Sequence, residues 1–205
     1  MYFDLRKYIL AALLTALLWI LALTRLGYLP LFGVDVTLIC IPVVIGTCAL
    51  GLQYGMFLGF MFGLTSLYMA LMGQAGALLA PILDAPAVMY PMIFVPRLLI
   101  PIFTWLVFKA TSRWKVPLSF GLAALTGSVV NTVFFLGFAY FLGGSILSAA
   151  YGMGSSDLFA ALSDIAISNG LLEAAVSVVI CIPVLMFFKN AFREEDDDLE
   201  ESLSD

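Results

Sequence analysis

Long apolar stretches separated by short polar segments run along almost the whole chain. A helix needs about 20 apolar residues to cross the hydrocarbon core of a bilayer, and six segments approach that length. The pattern therefore predicts an all-α, polytopic membrane protein with six transmembrane helices. The predicted helices are Tyr8–Leu26, Val36–Leu50, Tyr54–Met72, Ala87–Lys109, Pro117–Leu142 and Leu158–Lys189.

The composition agrees with a membrane location. Hydrophobic residues make up 63% of the chain and charged residues 11%, whereas soluble domains average roughly 45–50% and 25%. The mean hydropathy is +1.10. We assign residues 1–193 to one six-helix membrane domain. Residues 194–205 hold eight of the fourteen acidic residues, and this charge run favours a disordered cytoplasmic tail.

The basic residues indicate how the helices are oriented, because Lys and Arg accumulate in cytoplasmic loops. With six helices, three basic segments fall on one side of the membrane: before the first helix, between the fourth and fifth, and after the sixth. These segments contain Arg6, Lys7, Lys109, Arg113, Lys115, Lys189 and Arg193. Both termini are therefore predicted to be cytoplasmic.

Polar side chains interrupt the last three predicted helices at similar depths. Counted from the cytoplasmic helix ends at 1.5 Å per residue, Arg97, Asn131 and Glu173 lie roughly 18, 21 and 24 Å into the membrane. Asn169 lies one turn from Glu173 on the same helix face. Because an ionisable residue at such depth is costly, this polar layer is a candidate functional site.

The fourth helix carries prolines at 91, 96 and 101. Proline has no N–H, so Pro96 removes the helical donor of the Met92 carbonyl. A carbonyl of this kind is tolerated at membrane depth only against protein or a water-filled cavity. We therefore expect a kinked helix that lines a polar cavity open to the outside.

Two interpretations of the buried charges are open from the residues alone. Arg97 and Glu173 can form a structural ion pair that needs no ligand. Alternatively, Arg97 donates hydrogen bonds to a carboxylate or phosphate of a substrate, while Glu173 holds the guanidinium or accepts a substrate hydroxyl. The two are compatible. Asn131 either joins helices or lines the ligand site, and its depth favours the site.

Small residues recur at four-residue intervals on two helices. Ala12 and Ala16 share one face of the first helix, and Gly55, Gly59 and Gly63 share one face of the third. Such faces allow two helices to approach closely. Physical reasoning alone favours packing inside the protein for both.

Several short motifs, in order and within a six-helix frame, resemble the S components of energy-coupling-factor (ECF) vitamin transporters. The resemblance covers nearly the whole chain except the acidic tail. The motifs are Ala12-Leu-Leu-Thr-Ala16, Leu38-Ile-Cys-Ile-Pro-Val-Val-Ile-Gly46 leading into the segment 51–66, Phe94-Val-Pro-Arg97, Gly127-Ser-Val-Val-Asn-Thr132 and Asn169-Gly-Leu-Leu-Glu173.

The resemblance implies a protein of the bacterial plasma membrane that binds one micronutrient on its outer face. A transmembrane coupling (T) subunit and two cytoplasmic ATPases would supply the energy, and Ala12 and Ala16 would contact the coupling subunit. This reverses the expectation of internal packing for the two alanines. The chain has no Walker A phosphate loop, so we expect ATP hydrolysis to occur in the partner subunits. We expect this chain to be a binding protein without enzymatic activity and without a cofactor.

The motifs are most similar to the pantothenate-type branch of the family. The single carboxylate of pantothenate would suit Arg97, and its hydroxyl and amide groups would suit Asn131, Asn169 and Glu173. Tyr90, Phe94 and Tyr140 could stack on a ring, which leaves riboflavin, folate or a pyridoxine-like vitamin open. Residues 28–34, 73–77 and 143–157 would be outer loops, either a lid over the pocket or plain connections.

Other function classes fit the sequence less well. An ion-coupled secondary transporter would show inverted repeats and midplane carboxylates, but no internal duplication is visible. A membrane enzyme is disfavoured because the chain has no histidine and no nucleophile–base pair. The three cysteines lack CxxC spacing, so we expect neither a disulfide nor a metal site.

Overall fold

The computed structural model describes the backbone of residues 2–24, 27–31, 34–74 and 78–204, and the side chains of residues 5–24, 27, 38–74 and 78–191. The elements in chain order are α1 (Tyr2–Leu23), β1 (Tyr28–Leu31), β2 (Val34–Thr37), α2 (Cys40–Leu50), α3 (Leu52–Met69), α4 (Pro86–Ala110), α5 (Val116–Phe141), α6 (Gly144–Tyr151) and α7 (Ser155–Ser204). A π-helical segment, Ala70–Gln74, and a 3-10 turn, Ala80–Ile82, lie between α3 and α4.

Five helices in the described part of the chain are long and apolar enough to cross a membrane: α1, α3 with its π-helical extension, α4, α5 and α7. They correspond to five of the six predicted spans. α7 continues as helical backbone to Ser204 and so includes the acidic residues 194–204. The disorder predicted for this tail stays a prediction.

The span predicted at Val36–Leu50 is not confirmed. Its helix, α2, starts at Cys40 and has 11 residues, about 16 Å of helix, which is short of the ~30 Å hydrocarbon core. The predicted start was wrong because residues 34–37 form a strand. Pro42 lies in the first turn of α2, where its missing N–H would have had no helical acceptor in any case.

The structure is predominantly helical, as predicted, but it contains two elements that were not predicted. Strands β1 and β2 form an antiparallel pair in which Tyr28 lies opposite Thr37 and Leu31 opposite Val34. This pair occupies a segment predicted to be a loop and the start of a helix. The segment predicted as the loop 143–157 contains α6. The third predicted loop, 73–77, falls mostly on residues 75–77, which lie outside the described part.

The buried apolar side chains form two clusters. The first joins α1, α2 and α3 to parts of α4, α5 and α7, and includes Leu18, Val44 and Ile100. The second joins α4, α5, α6 and α7, and includes Met92 and Leu136. On α4 and α5 the change from one cluster to the other falls at the polar layer. This layer is therefore enclosed by apolar packing on both sides.

The glycine face of α3 packs against α4, which confirms internal packing for this stripe. A Cβ built on Gly59 would lie 2.5 Å from the Arg97 carbonyl oxygen, and one built on Gly63 would lie 2.6 Å from the Phe94 ring. Gly55 similarly faces Pro101. The absence of side chains on α3 therefore allows α4 to approach at the level of Arg97.

The alanine pair of α1, unlike the glycines of α3, does not pack inside the protein. The buried face of this helix contains Leu10, Leu14 and Leu18, spaced by four residues. Ala12 and Ala16 lie on the exposed face. The two alanines are thus not part of the internal packing of this chain.

The contact between Gly59 and α4 gives a first prediction. Gly59→Ala would place a methyl group against the Arg97 carbonyl, and this overpacking should lower the free energy of unfolding by about 1–3 kcal/mol. Gly137→Ala is the matched control, because a Cβ there meets nothing within 4 Å. Thermal unfolding of the purified protein in detergent measures both. A Gly59→Ala variant as stable as Gly137→Ala would contradict the close approach.

Candidate functional site

Arg97 lies in the middle of α4 and is 7% exposed. Its Nη1 donates a hydrogen bond of 3.1 Å to the Met92 carbonyl oxygen. This is the carbonyl whose helical donor Pro96 removes. The side chain of Arg97 therefore satisfies a backbone group that its neighbouring proline leaves unpaired within the helix.

Two aromatic rings from neighbouring helices enclose the guanidinium. The Cζ atom of Arg97 lies 5.1 Å from the ring centroid of Phe62 on α3 and 4.7 Å from that of Phe135 on α5. Both distances fall within the range of cation–π attraction, which strengthens when the cation is desolvated. Arg97 is thus held where α3, α4 and α5 meet.

Asn131 lies one turn before Phe135 on the same face of α5. It is 8% exposed, and its Oδ1 has no hydrogen-bond partner among the described residues. Because Phe135 contacts Arg97, this face of α5 carries Asn131 toward the helix that holds Arg97. The structure therefore brings together the α4 and α5 members of the predicted polar layer.

Glu173 joins the layer from α7. It is 8% exposed, and its Oε2 accepts a hydrogen bond of 3.4 Å from the Thr132 hydroxyl on α5. Gly170, one turn earlier on α7, lies beside Thr132. Because Gly170 has no side chain, α5 and α7 can approach closely at this level. Asn131 and Thr132 are consecutive, so α5 connects Arg97 on one side to Glu173 on the other. The ion pair between Arg97 and Glu173 stays a prediction.

The other predicted ligand residues lie farther along the helices. Asn169 is half-buried, and its Oδ1 accepts a hydrogen bond of 3.3 Å from Ser168. Phe94 packs against α3, with its ring centroid 5.7 Å from that of Phe60. Tyr90 is 49% exposed. Their contact with a ligand stays a prediction.

Sequence reasoning missed three residues that contact the polar layer. Phe62, Phe135 and Thr132 were not assigned to it, although Thr132 follows Asn131 directly and Phe135 lies one turn after it. The spacing of Phe135 from Asn131 could have indicated an aromatic face beside the layer. The position of Phe62 could not be inferred, because it depends on how α3 packs against α4.

A cavity of about 350 Å³ lies between the end of α5, α6 and the start of α7. Its volume lies within the range of small-molecule sites, roughly 300–1,000 Å³. Residues that line it include Tyr140, Ser145, Ser148 and Ser155. This cavity does not include the residues of the polar layer, so the cavity expected around Arg97 stays a prediction.

Comparison with known proteins supports the resemblance to ECF transporter S components. A family model described as the substrate-specific component of ECF transporters matches residues 6–185. The pantothenic acid transporter PanT of Lactococcus lactis subsp. cremoris (strain MG1363) is 29% identical over 164 residues, which covers 75% of this chain and 78% of that protein. The family match includes all the candidate site residues on α1, α4, α5 and α7.

The arrangement of the aromatic rings gives a second prediction. In a double-mutant cycle that combines Phe135→Leu with Arg97→Met, the two substitutions should be coupled by about 1–2 kcal/mol, because each removes the same cation–π contact. Phe141→Leu is the control, since this ring is 83% exposed and has no described contact with Arg97. Thermal unfolding in detergent measures the cycle. Strict additivity of Phe135→Leu and Arg97→Met would exclude the contact.

Proposed function

Because this chain belongs to the substrate-specific components of ECF transporters, we propose that it binds pantothenate with high affinity from outside the membrane and delivers it into the cell. The observation that carries this proposal is a guanidinium buried between two aromatic rings, in one layer with Asn131 and Glu173. A transmembrane coupling subunit and two cytoplasmic ATPases would supply the energy.

The chemistry of the layer suits pantothenate. This vitamin has one carboxylate, one amide and two hydroxyl groups. Arg97 would bind the carboxylate, since hydrogen bonds between a guanidinium and a carboxylate are short and strong, and exclusion of water by Phe62 and Phe135 strengthens them further. Asn131, Asn169 and Glu173 would bind the amide and hydroxyl groups. The name of the Lactococcus relative supports the same substrate.

The outer end of the bundle suits access from outside. β2 packs against α7, and α6 packs against α5 and α7. We infer that the hairpin and α6 together cover the ligand site as a lid, and that the cavity beside Tyr140 lies on the path of the ligand toward Arg97. The three serines of this cavity would replace part of the hydration of a polar ligand.

We propose that both termini are cytoplasmic, as the basic segments indicate. This topology needs a sixth crossing between the hairpin and α3, which only α2 can provide. Residues 40–47 of α2 are all buried, so the helix is surrounded by other helices rather than by lipid. A short helix is tolerated at membrane depth when it is enclosed by protein.

The exposed alanine face of α1 would bind the coupling subunit. Ala12 and Ala16 are exposed and flanked by the exposed Leu13 and Leu17. Small residues between large ones form a shallow groove that lets a partner helix approach closely. The face is therefore suited to a helix of another membrane protein.

The proposed substrate can be tested by binding of labelled pantothenate to the purified protein without ATP or an ion gradient. The wild type should bind it saturably, and Arg97→Ala should weaken binding by roughly 30-fold or more, because truncating one partner of a buried charge pair costs about 2–5 kcal/mol. Arg113→Ala is the control, since Arg113 is exposed in the α4–α5 connection.

Thermal unfolding must show that Arg97→Ala is folded, and Arg97→Lys provides a second variant that keeps the charge. Unchanged affinity in a folded Arg97→Ala protein would limit Arg97 to a scaffold role. Binding that requires sodium or a proton gradient would contradict the proposal and favour an ion-coupled transporter.

The proposed partner surface can be tested separately. Ala12→Trp and Ala16→Trp should leave pantothenate binding by the isolated protein unchanged but stop uptake in cells that contain the coupling subunits, because the bulky ring prevents close helix approach. Val179→Trp is the control, since Val179 is 70% exposed on α7 and should support uptake. Loss of binding in the alanine variants would place these residues in the internal packing instead.

A further inference from the structure

Three buried polar atoms on α4 and α5 have no hydrogen-bond partner among the described residues: Thr104 Oγ1, Ser128 Oγ and Asn131 Oδ1. Thr104 and Ser128 are fully buried, and Asn131 is 8% exposed. A buried polar atom without a partner is costly, and native proteins pair the large majority of buried side-chain polar atoms with protein or ordered water. Three such atoms on two neighbouring helices therefore need an explanation.

The three residues occupy neighbouring positions on two helices that pack against each other. The Thr104 hydroxyl oxygen would lie 2.9 Å from a Cβ built on Gly127. Gly127 precedes Ser128 directly and lies one turn before Asn131 on the same face of α5. On α4, Thr104 lies two turns after Arg97 on the same face. The group is therefore located beside the polar layer, on the side toward the carboxyl end of α4.

Other hydroxyls in this protein satisfy themselves within their own helix. Thr15, Thr47 and Thr126 each donate to the carbonyl four residues earlier, at 2.7, 2.6 and 2.7 Å. Thr104 and Ser128 lack this bond, although they too lie inside helices. Their hydroxyls are therefore available for a partner between the helices.

We propose that Thr104, Ser128 and Asn131 bind an internal water molecule between α4 and α5. A buried water typically makes about three hydrogen bonds, and here it would accept from a hydroxyl and donate to Asn131 Oδ1. The three oxygens are neutral and too few for the six or more ligands of a hard cation such as Ca²⁺. Water is therefore the ligand that matches both the number and the chemistry of these atoms.

The water would position the Asn131 side chain, and this part rests on the proposed function. With Oδ1 held toward Thr104 and Ser128, the amide Nδ2 of Asn131 is left to donate to the ligand in the polar layer. Thr104 and Ser128 would then affect affinity without contacting the ligand. They are positioning residues, and the water links them to Asn131.

The water site is tested first by stability without ligand. Thr104→Val keeps the shape of the side chain but removes the hydroxyl, so it should lower Tm by roughly 2–4 °C. Thr126→Val is the control, because the Thr126 hydroxyl bonds only its own helix and its loss should leave Tm unchanged. An equally or more stable Thr104→Val protein would overturn the proposal, since removing an unpaired hydroxyl relieves its burial cost.

The link to Asn131 is tested by two further measurements. Thr104→Val and Asn131→Ala should lower Tm non-additively, because both lose the same water. Thr104→Val should also weaken pantothenate binding about fivefold to tenfold, and Thr104→Ser should restore it. Additive effects on Tm, or affinity that does not follow the hydroxyl, would overturn the positioning role.

A high-resolution structure distinguishes water from a direct contact. Density for a water within hydrogen-bond distance of at least two of the three atoms is the expected result, and direct bonding of Thr104 to Asn131 without such density would overturn it. If the wild type does not bind pantothenate, the proposed function fails, whereas the stability and density measurements still decide the water site.

Discussion

A guanidinium between two apolar clusters has given up almost all of its contact with water, and the protein must replace that hydration. The replacements include the Met92 carbonyl and the faces of Phe62 and Phe135. These groups come from α3, α4 and α5, so the packing of three helices depends on where the charge is held. Glu173 and Thr132 extend the same layer to α7.

The backbone beside Arg97 is adapted to this charge. Pro96 makes the Met92 carbonyl available to the side chain of Arg97, and Pro101 removes the helical donor of the Arg97 carbonyl. That second carbonyl lies against Gly59, where no side chain intervenes. The prolines of α4 and the glycines of α3 therefore act together. The prolines leave carbonyl groups of α4 without helical donors, and the glycines let α3 approach these carbonyls. A site fixed in this way needs little rearrangement to bind an anion.

Much of this arrangement could be predicted from the sequence because it depends on local rules. Apolar length predicted α1, α3, α4, α5 and α7, depth counting placed three polar residues in one layer, and proline chemistry identified the Met92 carbonyl. The hairpin, α6 and the late start of α2 were missed. A strand as short as Val34–Thr37 cannot be distinguished from the start of a helix by its residue pattern alone when the pairing partner is not known.

Contacts between helices also could not be predicted from the sequence. The rings that enclose Arg97 belong to α3 and α5, so their positions depend on helix rotation and crossing, which short motifs do not define. The two alanines of α1 and the three glycines of α3 show this most clearly. Both have the same four-residue spacing, yet Ala12 and Ala16 are exposed on α1, whereas the glycines of α3 are covered by α4.

The central claim is that Arg97 binds the carboxylate of the ligand. A structure of the purified protein with bound pantothenate tests it most directly. We expect a carboxylate oxygen within about 3 Å of a guanidinium nitrogen, with Asn131 beside the ligand. A ligand held elsewhere, for example only in the cavity beside Tyr140, with Arg97 making contacts to protein alone, would contradict the claim.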